Sequence, residues 1–309
     1  MSLLVLDPGL ASRIVDFGRP RARSLGVPVG GAADRRSLAF GNALLGNPLD
    51  APALEVTLQG PHLRATHDLA AVVFGAPFEL NCGGERIEAG HTFMIHAGEE
   101  LHLGATGQGM RAYLCLRGGF HADPILGSRS SLQPLRAGEE LACSVSRLHT
   151  FSCPDLQPHF PTTWSLRVVP GLQASWFNEA EFYRQTFTIT PASDRMGLRL
   201  SGEVLTLPER ELISEPVCPG ALQVTRDGQG ILLGVDGQTI GGYPKIAQVI
   251  QADLDALGQL RPGNKLSFTK ITLAEAIQLQ RQAAIDLQRW ALRLHLALDA
   301  FPAERKLIV

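Results

Sequence analysis

The sequence of 309 residues is poor in lysine: positions 245, 265, 270 and 306 are the only four, within a Lys plus Arg total of 28. Arginine carries the rest of the positive charge, a skew we read as codon bias before function. Acidic residues number 30, so the formal charge is −2. That near-neutrality excludes a protein whose main task is to hold a phosphate backbone. Cysteine is scarce as well. The five residues 82, 115, 143, 153 and 218 are odd in number and form no Cys-x-x-Cys pair, which predicts buried free thiols in a reducing cytoplasm. No apolar run approaches the ~20 residues of a membrane span. The opening Met-Ser-Leu-Leu-Val-Leu-Asp has a short apolar run without a basic flank, which argues against a signal peptide. A cytoplasmic protein that binds neither nucleic acid nor membrane is the expectation.

Familiar chemical signatures are missing too. There is no Gly-x-x-x-x-Gly-Lys-Ser/Thr loop, no His-Glu-x-x-His and no Gly-x-Ser-x-Gly elbow, so any ATP is not held by a Walker motif. His62 and His67, then His91, His96 and His102, lie five or six apart. A spacing of five puts strand residues on opposite faces, so no metal site is expected. No cysteine has a spacing partner that suggests a nucleophile.

The residues that are plentiful favour β structure. Apolar residues make up 45% of the chain and charged residues 19%, without a long polar tract, which excludes disorder. Gly and Pro, 32 and 20 in number, are spread along the chain. Between them lie short runs with strand character at 53–58, 70–74, 92–95, 111–116, 165–169, 186–189, 231–235 and 265–268. Short strands broken by frequent turns point to a sandwich or barrel. Ala97-Gly98-Glu99-Glu100-Leu101, Ala137-Gly138-Glu139-Glu140-Leu141 and Pro262-Gly263-Asn264-Lys265-Leu266 each read as a turn glycine followed by strand entry. Two helices interrupt this pattern. Asp34 can cap one over 35–45, stopped by Gly46-Asn47-Pro48. The other runs from about 273 to 298, where Leu273, Ile277, Ala284, Leu287, Ala291, Leu294 and Leu298 form one apolar stripe; we expect it to pack on its own barrel.

The halves resemble one another. Ala33-Asp34-Arg35-x-x-Leu38 matches Ser193-Asp194-Arg195-x-x-Leu198, Ala53-Leu54-Glu55-Val56 matches Ala221-Leu222-Gln223-Val224, and Gly98-x-x-Leu101 matches Gly263-x-x-Leu266, in one order. This predicts two related β domains, residues 1–160 and residues 161–309 with the C-terminal helix, joined through the Pro-rich segment 152–163.

The sharpest candidate segment runs from Asp236 through Gln238, Thr239, Gly241, Gly242 and Tyr243 to Lys245. Adjacent glycines let backbone approach a ligand and turn N–H groups toward an anion, while Asp, Gln, Thr and Lys offer a base, an amide, a hydroxyl and a cation. A plain glycine turn is the competing reading. Ser193-Asp194-Arg195-Met196-Gly197 is either a second part of a site or a turn with its own ion pair. Asp16-Phe17-Gly18-Arg19 carries less still.

These segments, with Gly26-Val27-Pro28, Gly31-Ala32-Ala33-Asp34, Leu45-Gly46-Asn47-Pro48, Arg117-Gly118-Gly119-Phe120, Leu126-Gly127-Ser128-Arg129-Ser130, Ser214-Glu215-Pro216 and Pro219-Gly220-Ala221-Leu222-Gln223-Val224, resemble the biotin-dependent carboxyltransferase family. That family includes the C subunit of 5-oxoprolinase, the second subunit of allophanate hydrolase, the carboxyltransferase part of urea carboxylase and a sporulation-kinase-inhibitor antagonist. The resemblance implies two cyclophilin-like β-barrel domains in tandem. It implies a hydrolase or amidolyase subunit working with a subunit-B-like partner, and for 5-oxoprolinase also with a subunit-A-like protein. That assembly opens 5-oxoproline to glutamate at the expense of ATP; relatives move a carboxyl group from carboxybiotin to urea. Both handle an amide or ureido carbonyl that gains negative charge, which glycine N–H groups and a fixed cation would stabilise.

Several positions depart from the family pattern: Ser12-Arg13-Ile14-Val15-Asp16, Gly30 to Asp34, Pro170-Gly171-Leu172-Gln173, Ile240, and a shortened stretch at 131–136. Polar groups are lost mostly from the N-terminal half. We therefore expect the site in the C-terminal half, with Asp236, Lys245 and Arg195 as catalytic candidates. Ser193, Asp194, Gln238, Thr239, Gly241, Gly242 and Tyr243 are expected to bind substrate. A non-catalytic regulatory subunit that pairs with a subunit-B-like partner is the alternative.

Overall fold

A computed structural model describes residues 1–148, 150–156, 158–300 and 307–308; residue 157 of the expected linker lies outside them. The chain is mainly β with few helices. By backbone contacts it divides into two compact units, one of residues 1–18, 34–160 and 287–309, the other of residues 19–33 and 161–286.

The first unit is built from two antiparallel sheets around one apolar core. A five-stranded sheet orders Ala11–Val15, Ala53–Thr57, Arg111–Leu116, Leu69–Gly75 and Thr92–Ile95. A six-stranded sheet orders Glu140–Ala142, Ser2–Asp7, His62–Ala65, Glu100–Thr106, Phe78–Cys82 and Glu85–Ile87. Leu54, Val56, Val73, Ala112 and Leu114 from the first and Leu3, Leu63, Leu80 and Leu101 from the second share one buried cluster. Burying each of the Leu and Val side chains contributes about 1.5–3 kcal/mol. Helix α1 (Arg35–Leu44) begins where Asp34 accepts the Ser37 N–H at 2.9 Å, the capping read from the sequence. The turn glycines also behave as expected: Gly98, Gly138 and Gly263 have φ of +88°, +84° and +89°, a region open to glycine at little cost.

The second unit contains a closed seven-stranded barrel. Its order is Thr163–Pro170, Lys245–Val249, Ala221–Val224, Gly230–Leu233, Gly197–Ser201, Phe187–Ile189 and Lys265–Lys270. A parallel pairing of the last strand with the first, Thr163 opposite Lys265 through Val168 opposite Lys270, closes it. Phe182, from helix α2 (Glu179–Arg184), stacks on Phe268 at 5.3 Å between ring centres. A separate ribbon pairs Glu215–Pro216 with Ile240–Gly241.

Helix α3 (Leu273–Ala300) corrects one expectation. Its stripe is not packed along its length: Leu273, Ile277 and Ala284 are exposed, whereas Leu294 is buried. Periodicity shows which residues share a face. It does not show whether the rest of the chain covers that face.

Candidate functional site

In the second unit the sequence segment 236–245 splits into two polar clusters. The first is an ion pair. Arg195 Nε donates to Asp236 Oδ2 at 2.7 Å and its Nη2 to Oδ1 at 3.0 Å, a two-pronged fork. The same Nη2 donates to the Gly31 carbonyl at 2.7 Å, and the Gly30 N–H donates to the Val235 carbonyl at 2.8 Å. The fork thus ties the glycine segment 30–31 to the barrel edge. A Cβ added to Gly30 would lie 3.3 Å from Arg19 Nη1 and 3.9 Å from Asp236 Oδ1. Buried Arg19, the last residue of the weak candidate segment Asp16 to Arg19, therefore belongs to the same neighbourhood, although it lies 217 residues from Asp236. Both Asp236 oxygens thus accept from the Arg195 guanidinium, a charge-assisted two-pronged pair.

Ser193 and Asp194 are otherwise engaged. Asp194 Oδ1 accepts the N–H groups of Met196 at 2.8 Å and Gly197 at 3.1 Å, and Ser193 Oγ accepts that of Arg199 at 2.9 Å. These contacts shape the turn that presents Arg195.

The second cluster centres on Lys245, whose side chain is 7% exposed. Its strand pairs with Ala221–Val224 through a β-bulge. Leu222 lies opposite Ala247 but Gln223 opposite Lys245, leaving Ile246 as the extra residue. Bulges re-aim side chains, and here Gln223 and Lys245 are both buried. The Pro170-Gly171-Leu172-Gln173 turn grips this bulge. The Gly171 N–H donates to the Ile246 carbonyl at 2.9 Å and the Gln173 N–H to the Lys245 carbonyl at 3.1 Å. A Cβ at residue 171 would fall 2.2 Å from that Lys245 oxygen, so only glycine allows the approach.

Gln173 then joins the charges. Its Oε1 accepts the Lys245 N–H at 3.0 Å and its Nε2 donates to Glu215 Oε1 at 2.8 Å. The same Glu215 Oε1 contacts Lys245 Nζ. The Lys245 ammonium, with Gln173, holds the Glu215 carboxyl below its ordinary range. Nζ is sealed from solvent and has no further partner among the described residues. Beside it Gln238 Nε2 donates to Gln223 Oε1 at 3.1 Å, whereas buried Gln223 Nε2 has no partner among the described residues. Gly241 leaves room for that amide, since a Cβ there would come within 2.5 Å of Gln223 Nε2. Thr239 is buried and its carbonyl accepts the Val217 N–H at 3.0 Å; Tyr243 is exposed. Gly242 lies beside Ser214, whose Oγ would sit 3.2 Å from an added Cβ.

The structure thus brings Gln238, Gly241 and Lys245 into one cluster, and Arg195 with Asp236 into another. Glu215 and Gln173 stood out in the sequence only through the family resemblance, and Gln223 through that and the internal repeat. Their spacing carries no period that would have revealed the cluster. No group of three or more His, Cys, Asp or Glu among the described residues could hold a metal.

The first unit holds a different concavity, about 630 Å³, lined by Asp16, Asp50, His121, Asp123 and Arg129 among others. Asp16 is fully engaged at its edge, accepting from Ser128 Oγ at 2.5 Å, Ser130 Oγ at 2.6 Å and the Arg129 N–H at 2.6 Å. Burial pushes its pKa up, but these bonds and one from the Gly18 N–H outweigh burial and hold it low.

Comparison with known proteins accounts for the architecture. Residues 25–270 match the family described as carboxyltransferase domain, subdomain A and B. The chain is 35% identical to the C subunit of 5-oxoprolinase from Haemophilus influenzae, covering 92% of this chain and 96% of that protein. It is 31% identical to the Escherichia coli 5-oxoprolinase C subunit, covering 95% and 99%. The solved K. lactis urea amidolyase superposes with a TM-score of 0.87 at 26% identity, over 94% of this chain but 20% of that one. Matched over residues 25–270 to the family model and over nearly the full length to the two C subunits, the chain is a member of the carboxyltransferase family of subdomain A and B type.

Proposed function

We propose that this chain is the C-type subunit of an ATP-dependent 5-oxoprolinase assembly, working with a subunit-B-like and a subunit-A-like protein. Near full-length similarity to two 5-oxoprolinase C subunits favours 5-oxoproline over urea, because the amidolyase match spans a fifth of that chain. The observation that carries a chemical role is the buried Lys245 beside the unpartnered Gln223 amide. A cation and an amide N–H held in a site sealed from water stabilise charge developing on a lactam or ureido oxygen far better than in solution. Gln238 orients Gln223. Asp236 holds Arg195 and the 30–31 segment in place, so its contribution is positional.

ATP does not fit this cluster. Gly241 and Gly242 lead into a strand rather than a helix, so the chain lacks there the helix N-terminus that favours phosphate, and no step is assigned to ATP here. Carboxybiotin is a different matter: the Lys245 ammonium and Gln173 amide suit a carboxylate, and that group, when bound, supplies the transferable carboxyl.

The test is reconstitution with a subunit-B-like and a subunit-A-like protein, scored as ATP-dependent glutamate formation. Lys245→Met should lower kcat at least about a hundredfold, the typical effect of losing one such charge, and Asp236→Asn should lower turnover with little change in Tm. An assembly that ignores 5-oxoproline, or a Lys245→Met assembly with full kcat, overturns the proposal and leaves the regulatory, non-catalytic subunit as the better reading.

A further inference from the structure

A buried ammonium needs an anion beside it, because removing one partner of a buried pair leaves an uncompensated charge. In this chain the anion comes from an unusual place. Glu215 does not belong to the barrel that buries Lys245. It sits on a ribbon of two-residue strands, paired only with Ile240–Gly241. The ten residues before it, 205–214, contain no helix or strand, and Ile213 among them is 90% exposed. The Glu215 side chain itself is 28% exposed, against 7% for its partner. The fixed members are Lys245, set by the bulge, and Gln173, set by its bonds to the Lys245 backbone. The displaceable member is the carboxylate.

We infer that Lys245 and Gln173 form a seat for a ligand carboxylate, which Glu215 fills until a carboxylate-bearing ligand displaces it. Two donors converge on one oxygen, Glu215 Oε1, one from a cation and one from an amide. That is the donor set of a small-acid site, and the side chain in it enters from a peripheral ribbon. Gln223 Nε2, with no partner among the described residues and walled by Gly241, marks the adjoining space for an acceptor such as a carbonyl oxygen. These donors select the ligand class: a small carboxylate with a carbonyl oxygen beyond the acid group. The acid could belong to the substrate or to a carboxyl donor, and the experiment separates them. The exchange also gives the site a gate, since Lys245 is never left without an anion. The inference rests on Lys245 marking the substrate site, as proposed above, but its test needs no turnover.

Four lysines make the test site-resolved. The full-length chain is reductively methylated, and Lys245 is read by peptide mass mapping against exposed Lys265 and Lys270. Wild-type Lys245 should react at least about tenfold more slowly than Lys265, because its Nζ is sealed from solvent and held by Glu215. Glu215→Ala should remove that protection. Glu215→Gln, which keeps an acceptor for Gln173, should do the same without loosening the ribbon. In both variants acetate, bicarbonate and 5-oxoproline are added in turn, with the uncharged amide of 5-oxoproline as control. Protection by 5-oxoproline above acetate assigns the seat to the substrate acid, and protection by bicarbonate above both assigns it to a carboxyl donor. Lys245 that stays unreactive in both variants overturns the gate. Equal protection by the uncharged amide, or none by any carboxylate, overturns the seat. If protection is found but the reconstituted assembly ignores 5-oxoproline, the proposed function fails and this inference stands.

Discussion

The dipeptide Asp-Arg occurs at 34–35 and again at 194–195, in matching positions of the two halves, and does different work in each. In the first unit Asp34 caps α1, and its N–H donates to the Tyr113 hydroxyl at 2.7 Å. Arg35 lies over the Phe17 ring at 5.8 Å. In the second unit Asp194 closes a turn, and Arg195 is the side chain that clamps Asp236. The residues just after each dipeptide decide between these outcomes. Arg36-Ser37-Leu38-Ala39-Phe40 suits a helix, whereas Met196-Gly197-Leu198-Arg199-Leu200 alternates and enters a strand. The repeated Ala-Leu-x-Val strands differ in the same instructive way. Buried Glu55 accepts the Tyr113 hydroxyl at 2.9 Å and faces Arg111 at 3.5 Å. Its counterpart Gln223 leaves a buried amide donor unmatched among the described residues. In one unit a buried carboxylate ties a hydroxyl and a cation together; in the other, the unmatched amide donor is where we propose that a ligand binds.

The sharpest way to break this comparison is to remove both counterparts. Glu55→Ala should destabilise the chain by about 3–5 kcal/mol in urea unfolding, because Arg111 loses its buried carboxylate. Gln223→Leu should change stability by no more than about 1 kcal/mol, since removing an unpaired buried donor offsets the bond lost from Gln238. Equal losses would mean that Gln223 is as structural as Glu55. The two aspartates provide a smaller contrast. Asp34→Ala should cost about 1–2 kcal/mol through the lost cap, and Asp194→Ala about 0.5–1 kcal/mol through the lost turn bonds; larger damage at 194 would show that the turn supports more than Arg195. The smallest effect is acid sensitivity in the first unit. Asp16 has a lowered pKa in the folded chain, so its contribution is complete above the ordinary aspartate value near 3.8 and fades as pH falls through the folded value. Asp16→Asn should therefore flatten the loss of stability below about pH 4, seen as converging wild-type and variant Tm values. Parallel curves would show that the four bonds to Asp16 do not depend on its charge.

Much of the fold was legible in the chain alone. Short runs of strand character and turn glycines locate the strands 92–95 and 111–116, and the strand entries after Gly98, Gly138 and Gly263, because those signals act over a few residues. The cap at Asp34 is equally local. The short helix α2 escaped notice, although Asn178 caps it with bonds to the Ala180 and Glu181 N–H groups; six residues carry too little periodicity to register.

The sequence by itself determined the β-rich class, the turns, the capped first helix and the family, since each rests on neighbouring residues or on motif order. Tertiary structure alone decided which of those residues meet. It joined Arg195 to Asp236 across 41 positions and Gln173 to Lys245 across 72. It opposed Gln223 to Lys245 through a one-residue bulge and left part of helix α3 in solvent. A pattern along the chain fixes which way a side chain faces within its own strand or helix. Which element comes to face it, and whether water is shut out, depends on closing a barrel from strands far apart in sequence, and no local spacing records that.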